Sequence, residues 1–125
     1  MATSLQPDDV LIAVLYYVDK GQEFTADRER LHRVFFQLKQ QHRDCLAPIR
    51  FRARGLFPES AGLDQALSNL EATGLLLRKN DAPRFYYVQD ALRQAYEQFV
   101  GPRLQRLRFH THQFQDIAKE FAAAR

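Results

Sequence analysis

Three guanidiniums alternate with apolar residues between Ile49 and Arg54, with Arg50, Arg52 and Arg54 on one side and Ile49, Phe51 and Ala53 on the other. Guanidinium forks suit planar anions, phosphate above all. Further along, Gln65, Ser68 and Asn69 place two amides and a hydroxyl close together. Such amides make paired hydrogen bonds to an adenine edge, and a hydroxyl adds one to base or phosphate. Arg78, Lys79 and Arg84 follow; cations of this kind neutralise phosphates, which supplies most of the affinity for a nucleic-acid backbone. The bland alternative for the arginine stretch is a ladder of exposed edge charges that stops a strand pairing with other chains.

Nucleophile and metal chemistry find less material. His110 and His112 stand two apart, about 200° around a helix, so they cannot share one metal. His42 with Cys45 gives two ligands, too few for zinc. No metal and no cofactor are expected. No Ser-His-acid pattern can be argued, and five glycines form no phosphate-cradling loop; an enzyme is not expected. The single cysteine, Cys45, permits no intrachain disulfide. Arg43 and His42 beside it favour thiolate, but with no resolving partner the expectation is a plain, partly buried thiol.

The 125 residues are one domain's length, 46% hydrophobic and 26% charged, which excludes a disordered polymer, a collagen-like fibre and a multi-domain enzyme. Net charge is +3, unevenly spread: residues 28–54 hold eight basic against two acidic side chains, residues 1–27 one against five. The longest apolar run, Val10 to Val18, is nine residues, about half a membrane span. No positively charged start precedes it, so a cytoplasmic chain without membrane attachment is expected.

These residues must be positioned by local elements. A first helix starts near Pro7, suited to a first turn, with Asp8 and Asp9 complementing the helix dipole. Apolar residues surround it, so it is central and ends by Gly21. Thr25 caps a second helix running to about Asp44, with Leu31, Val34, Phe35 and Leu38 as its apolar stripe; Ala47-Pro48 stops it. The alternation of 49–54 predicts a short half-buried strand. Ser60 caps a third helix with Leu63, Ala66, Leu67 and Leu70 buried, and Gly74 ends it. Leu75–Lys79 and Arg84–Val88 form a hairpin across Asn80-Asp81-Ala82-Pro83. Asp90 caps a fourth helix that Gly101-Pro102 ends. A last helix from Pro102 carries Leu107, His110, Phe114, Ile117 and Phe121 in a heptad-like seam, used for packing or for pairing with a second copy. His110 in that seam is expected to be buried, or a pH-sensitive contact between copies.

Helix, helix, strand, turn, helix and hairpin is the order of a winged helix-turn-helix domain. The segment Gly55-Leu-Phe-Pro-Glu-Ser60, then Leu63, Leu67 and Leu70, then Gly74-Leu75-Leu76-Leu77 resembles the turn, Ser-capped helix and Gly-Leu-Leu core of many winged-helix proteins. It is also similar to small bacterial and archaeal winged-helix proteins with a Gly-Pro-(Phe/Tyr)-Ser turn at that place. The likeness is clear over residues 55–88 and topological over 10–54. It implies a fold that is mainly α with a small β-hairpin wing, as a winged helix-turn-helix over 1–100 plus a C-terminal helix over 101–125.

It also implies a sequence-specific DNA-binding regulator of transcription. As a recognition helix, residues 60–73 would face outward with Asp64, Gln65, Ser68, Asn69 and Ala72. Gln65, Ser68 and Asn69 would touch base edges of double-stranded DNA, and Arg78, Lys79 and Arg84 the backbone, with Arg50, Arg52 and Arg54 as further phosphate ligands. A homodimer through Leu107, Phe114, Ile117 and Phe121 would set the half-site spacing. Against this stand Glu59, Asp64 and Glu71, with no Lys or Arg between Gly55 and Leu77. The third helix could equally be a solvated polar face. The alternative function is a non-catalytic interaction module on the same scaffold, with Tyr86, Tyr87, Tyr96, Phe99, Phe109 and Phe114 as anchors for a partner protein.

Overall fold

Residues Val10 to Leu15 are all buried in the helix that Pro7 opens, α1 (Pro7–Tyr16). The Gln6 N–H at its start donates to the Asp9 carboxylate at 3.0 Å. This helix is the centre of a computed structural model that describes residues 5–18, 23–53, 55–79 and 82–124. The chain then forms β1 (Glu23–Thr25), α2 (Arg28–Gln41), α3 (Ala61–Ala72), β2 (Leu76–Lys79) and β3 (Ala82–Val88). The rest is helical: α4 (Asp90–Ala95), a π-helical turn (Tyr96–Val100), α5 (Gly101–Arg106) and α6 (Thr111–Ala124). The architecture is mainly helical with a β-hairpin wing, completed by β1 into an antiparallel sheet of order β1-β3-β2.

Local signals hold where the chain needs no distant partner. Ser60 Oγ accepts from the Leu63 N–H at 3.1 Å, while Leu63, Ala66, Leu67 and Leu70 face the core. Gly74 ends α3 at φ +81, the left-handed conformation that glycine adopts without a Cβ penalty. The second helix is capped by Asp27, whose side chain accepts from the Glu29 N–H. Thr25 supports that cap one step back, its hydroxyl accepting from the Asp27 N–H. The cap moves to Asp27 because Thr25 belongs to β1, paired with Phe85 of β3.

Several expectations are corrected. The described part of the stretch 49–54, residues 49–53, forms no strand: Ile49 lies buried in a bend, and only Arg52 forms a bridge, to Glu59. The segment runs back along α2: Lys39 donates to the Ile49 carbonyl at 2.7 Å, and Phe51 packs edge-on to Phe36. The chain packs Phe51 of its apolar side against α2 and leaves Ala53 exposed. In the hairpin, Ala82 and Pro83 belong to β3 rather than to the turn. The ladder is irregular between Arg78 and Lys79, a place where a residue without an N–H is tolerated.

Gly101-Pro102 does not end a helix. A π-turn precedes it, with the Gly101 N–H reaching back to the Tyr96 carbonyl, and Pro102 falls in the first turn of α5, which runs on directly from that widened turn. A Cβ at Gly101 would stand 3.2 Å from the Tyr96 carbonyl oxygen, a contact tight enough that the turn would have to give by a few tenths of an ångström. The break comes later, at Arg108 with φ 65. His110 therefore precedes α6 and is exposed beside His112 instead of lying buried in a seam.

Most of that seam packs within the chain. Phe114, Ile117 and Phe121 are fully buried within the same chain, where α6 packs on α1 and α2. Phe121 meets the rings of Phe24 and Phe35 at 5.6 and 5.4 Å, and Leu107 is half-buried against the same core. Of the seam residues, Phe114, Ile117 and Phe121 thus pack inside the chain, and Leu107 keeps part of its surface.

Candidate nucleic-acid interface

The outward side of α3 is set by which of its residues the core takes. With Leu63, Ala66, Leu67 and Leu70 inside, Ala61, Gln65, Ser68 and Ala72 are exposed. These four are uncharged. Asp64 and Asn69, expected on the outward face, lie half-buried on its flanks.

Both acids of the helix are bound by cations from neighbouring elements. The Arg28 Nε and Nη2 donate to Asp64 at 3.0 and 2.8 Å, and its Nη1 donates to Glu59 at 2.8 Å. These bonds, Asp64's first and then Glu59's, hold the guanidinium charged. Burial alone would raise the Asp64 carboxyl, but the hydrogen bonds from Arg28 and His32 outweigh it and hold the group below the ordinary aspartate range. Glu71 receives the Arg78 Nε at 3.2 Å, and the same guanidinium lies over the Tyr86 ring.

His32 joins α2 to the start of α3. It is fully buried; its Nδ1 accepts from the Ser60 N–H at 3.0 Å, and its Nε2 faces the Asp64 carboxylate at 2.8 Å. A backbone N–H can only donate, so the imidazole carries its proton on Nε2 and donates it to Asp64. The fold thus brings serine, histidine and aspartate together after all. The wiring is structural, because the histidine bonds the Ser60 backbone and the Ser60 hydroxyl caps the helix. His32 is invisible to a sequence search for function; its only signal is a histidine on the apolar stripe of α2.

The expected site residues divide. Gln65 and Ser68 are exposed on α3; Asn69 is half-buried and bonds Asp8 of α1 at 3.1 Å. Arg52 is exposed and lines an open cleft at the start of α3 with Arg28, Glu59, Ala61 and Asp64. Arg50, also exposed, sits apart, close enough to Lys39 to lower its pKa, second to burial. Arg78 is committed to Glu71. Arg54 lies outside the described residues, as do the side chains of Lys79 and Arg84. The structure adds Arg28, recognisable in the sequence only as one of several cations on α2.

The anchors suggested for a partner protein are mostly internal. Tyr86, Tyr96 and Phe114 are buried, Tyr87 and Phe109 half-buried, and only Phe99 is exposed. Tyr96 stacks on Tyr16 at 3.9 Å and bonds the Tyr17 hydroxyl at 2.8 Å.

Among the described residues no group of three or more His, Cys, Asp and Glu could hold a metal. His42 Nε2 pairs with Glu120, tying α2 to α6. No helix among the described residues is long and apolar enough to cross a membrane. Cys45 is buried, and burial, then the Asp44 carboxylate, pushes its thiol up to about 11. The native chain is therefore expected to resist a thiol-alkylating reagent near pH ~8 and to react readily in denaturant. Fast native labelling, followed by mass spectrometry, would contradict that burial.

Compared with known proteins, the chain matches no family model, and no curated protein or solved structure matches it.

Proposed function

We propose that this chain is a winged-helix protein that binds double-stranded DNA through α3 and regulates transcription. In this reading Gln65 and Ser68 meet base edges in the major groove. Arg52, beside the start of α3, approaches the phosphates on one side, with Arg28 neutralising the neighbouring Glu59 and Asp64, and the wing flanks the other side. Arg50 extends the phosphate contacts along the α2–α3 connection. Pairing of two copies, which would fix a half-site spacing, would use surfaces other than the buried stripe of α6.

One observation carries the reading. Acidic residues on α3 are the sequence's main argument against a DNA-facing helix, and both are turned to its flanks and ion-paired, Asp64 with Arg28 and Glu71 with Arg78. What remains outward is a line of small and amide side chains that a groove can admit. Arg52 has no ion pair among the described residues and stands next to that line.

The test is a titration of labelled duplex by fluorescence anisotropy at several salt concentrations. Log affinity is expected to fall linearly with log salt. Arg52→Ala is expected to weaken binding to all sequences alike and to flatten the slope by about one. Absence of measurable affinity at low salt overturns the proposal.

A second reading, a protein-contact module, is favoured by the outer face of the sheet. Leu77 and Phe85 are 47% and 38% exposed there. A chain that ignores duplex DNA in the titration would leave this reading in place.

A further inference from the structure

Gln65, Asn69 and Asp8 form a chain of side-chain hydrogen bonds across the cleft between α1 and α3. The Gln65 Nε2 donates to the Asn69 Oδ1 at 2.9 Å, and the Asn69 Nδ2 donates to the Asp8 Oδ2 at 3.1 Å. Asp9 takes no part; its carboxylate is held by Arg103 at 2.6 Å and by the Gln6 N–H at 3.0 Å. That leaves Asp8 as the carboxylate facing Asn69.

The direction of this relay follows from chemistry. An ionised carboxylate only accepts, so Asn69 must turn its NH2 group toward Asp8. Its carbonyl then faces Gln65, which must answer with an N–H. The Gln65 amide is thereby oriented, with Oε1 and the second N–H of Nε2 left outward on the exposed line of α3. An acceptor beside a donor is the complement of adenine, which offers its N6–H and N7 in the major groove. Reversal of the Gln65 amide would put the donor where the acceptor now stands, out of register with the N6–H and N7 of adenine.

We infer that Asp8 and Asn69 are positioning residues that set the polarity of Gln65 and make this helix selective for adenine at one base pair. The inference rests on the DNA-binding reading above. Asn69, expected from the sequence to touch a base, acts here through Gln65.

The experiment selects duplexes from a random pool with the native chain, then measures affinities for the selected site and its single-base variants. Native protein is expected to prefer adenine at one position by about tenfold to a hundredfold, the range of one bidentate contact. Gln65→Ala is expected to abolish that preference. Asp8→Asn, which keeps the shape but frees Asn69 to turn over, is expected to reduce it to about threefold or less, with affinity for unrelated duplex kept. Asn69→Ala should do the same, and thermal melts of the variants check that a merely structural loss is not being read.

Asp8→Asn and Asn69→Ala retaining the native preference would overturn the relay. So would native binding with no adenine preference that Gln65→Ala removes. Failure of the native chain to bind any duplex overturns the DNA reading itself, and is distinguished by the total affinity.

Discussion

Phe121→Ala is expected to lower the unfolding free energy by about 3–5 kcal/mol, equally at low and high protein concentration. Phe121 is 1% exposed, between the rings of Phe24 and Phe35. Truncation removes the transfer energy of the ring and leaves a cavity among side chains anchored on β1, α2 and α1, which cannot all close in. The concentration arm matters as much as the magnitude. If α6 were a seam between two chains, folding would be linked to association, and the urea midpoint would rise with concentration. A concentration dependence that the native chain shows and Phe121→Ala loses would place Phe121 between copies and overturn the packing described above.

His32→Leu is the second large effect. Leucine fills much of the same space but cannot accept from the Ser60 N–H, which is left buried and unsatisfied at a cost of about 1–3 kcal/mol. Asp64 also loses a donor from the buried side and keeps Arg28. The acid limb of the stability curve carries a further signature. Because the native Asp64 carboxyl is held below its ordinary value, its contribution is full above the unfolded-state pKa, about 3.9. It is lost as pH falls through the depressed native value. In His32→Leu that acid-dependent loss should shrink, since one of the two groups stabilising the carboxylate is gone. Urea midpoints measured from neutral to acid pH read both effects. A variant as stable as the native chain at neutral pH would show that the His32 bonds contribute nothing to holding α3.

Much of the candidate interface is legible in the sequence because its signals are short-range. A serine three residues before a leucine, a four-residue apolar stripe and a glycine in the left-handed region specify α3 with no reference to the rest of the chain. The hairpin follows for the same reason, apart from the place of its turn. Signals that need a partner mislead. Alternation over 49–54 states that one side must be covered, and α2 covers Phe51 of that side without a sheet. β1 leaves no trace in the pattern because three residues, Glu23–Thr25, carry no periodicity; only pairing with β3 makes them a strand. Pro102 reads as a stop, yet α5 runs on directly from the widened turn before it.

By itself, then, the sequence determined the existence of the third helix, the exposure of its Gln65 and Ser68, and the wing beside it. The tertiary structure decided which charges remain available and what the last helix covers. Arg28 and Asp64 are 36 residues apart, and a charge pattern along a chain does not say which acid will meet which base. An amphipathic stripe likewise specifies that it must be buried, not against what. Folding α6 onto α1 and α2 answers that with the chain's own core, and binding Asp64 to Arg28 leaves Gln65 and Ser68 facing outward in uncharged surroundings.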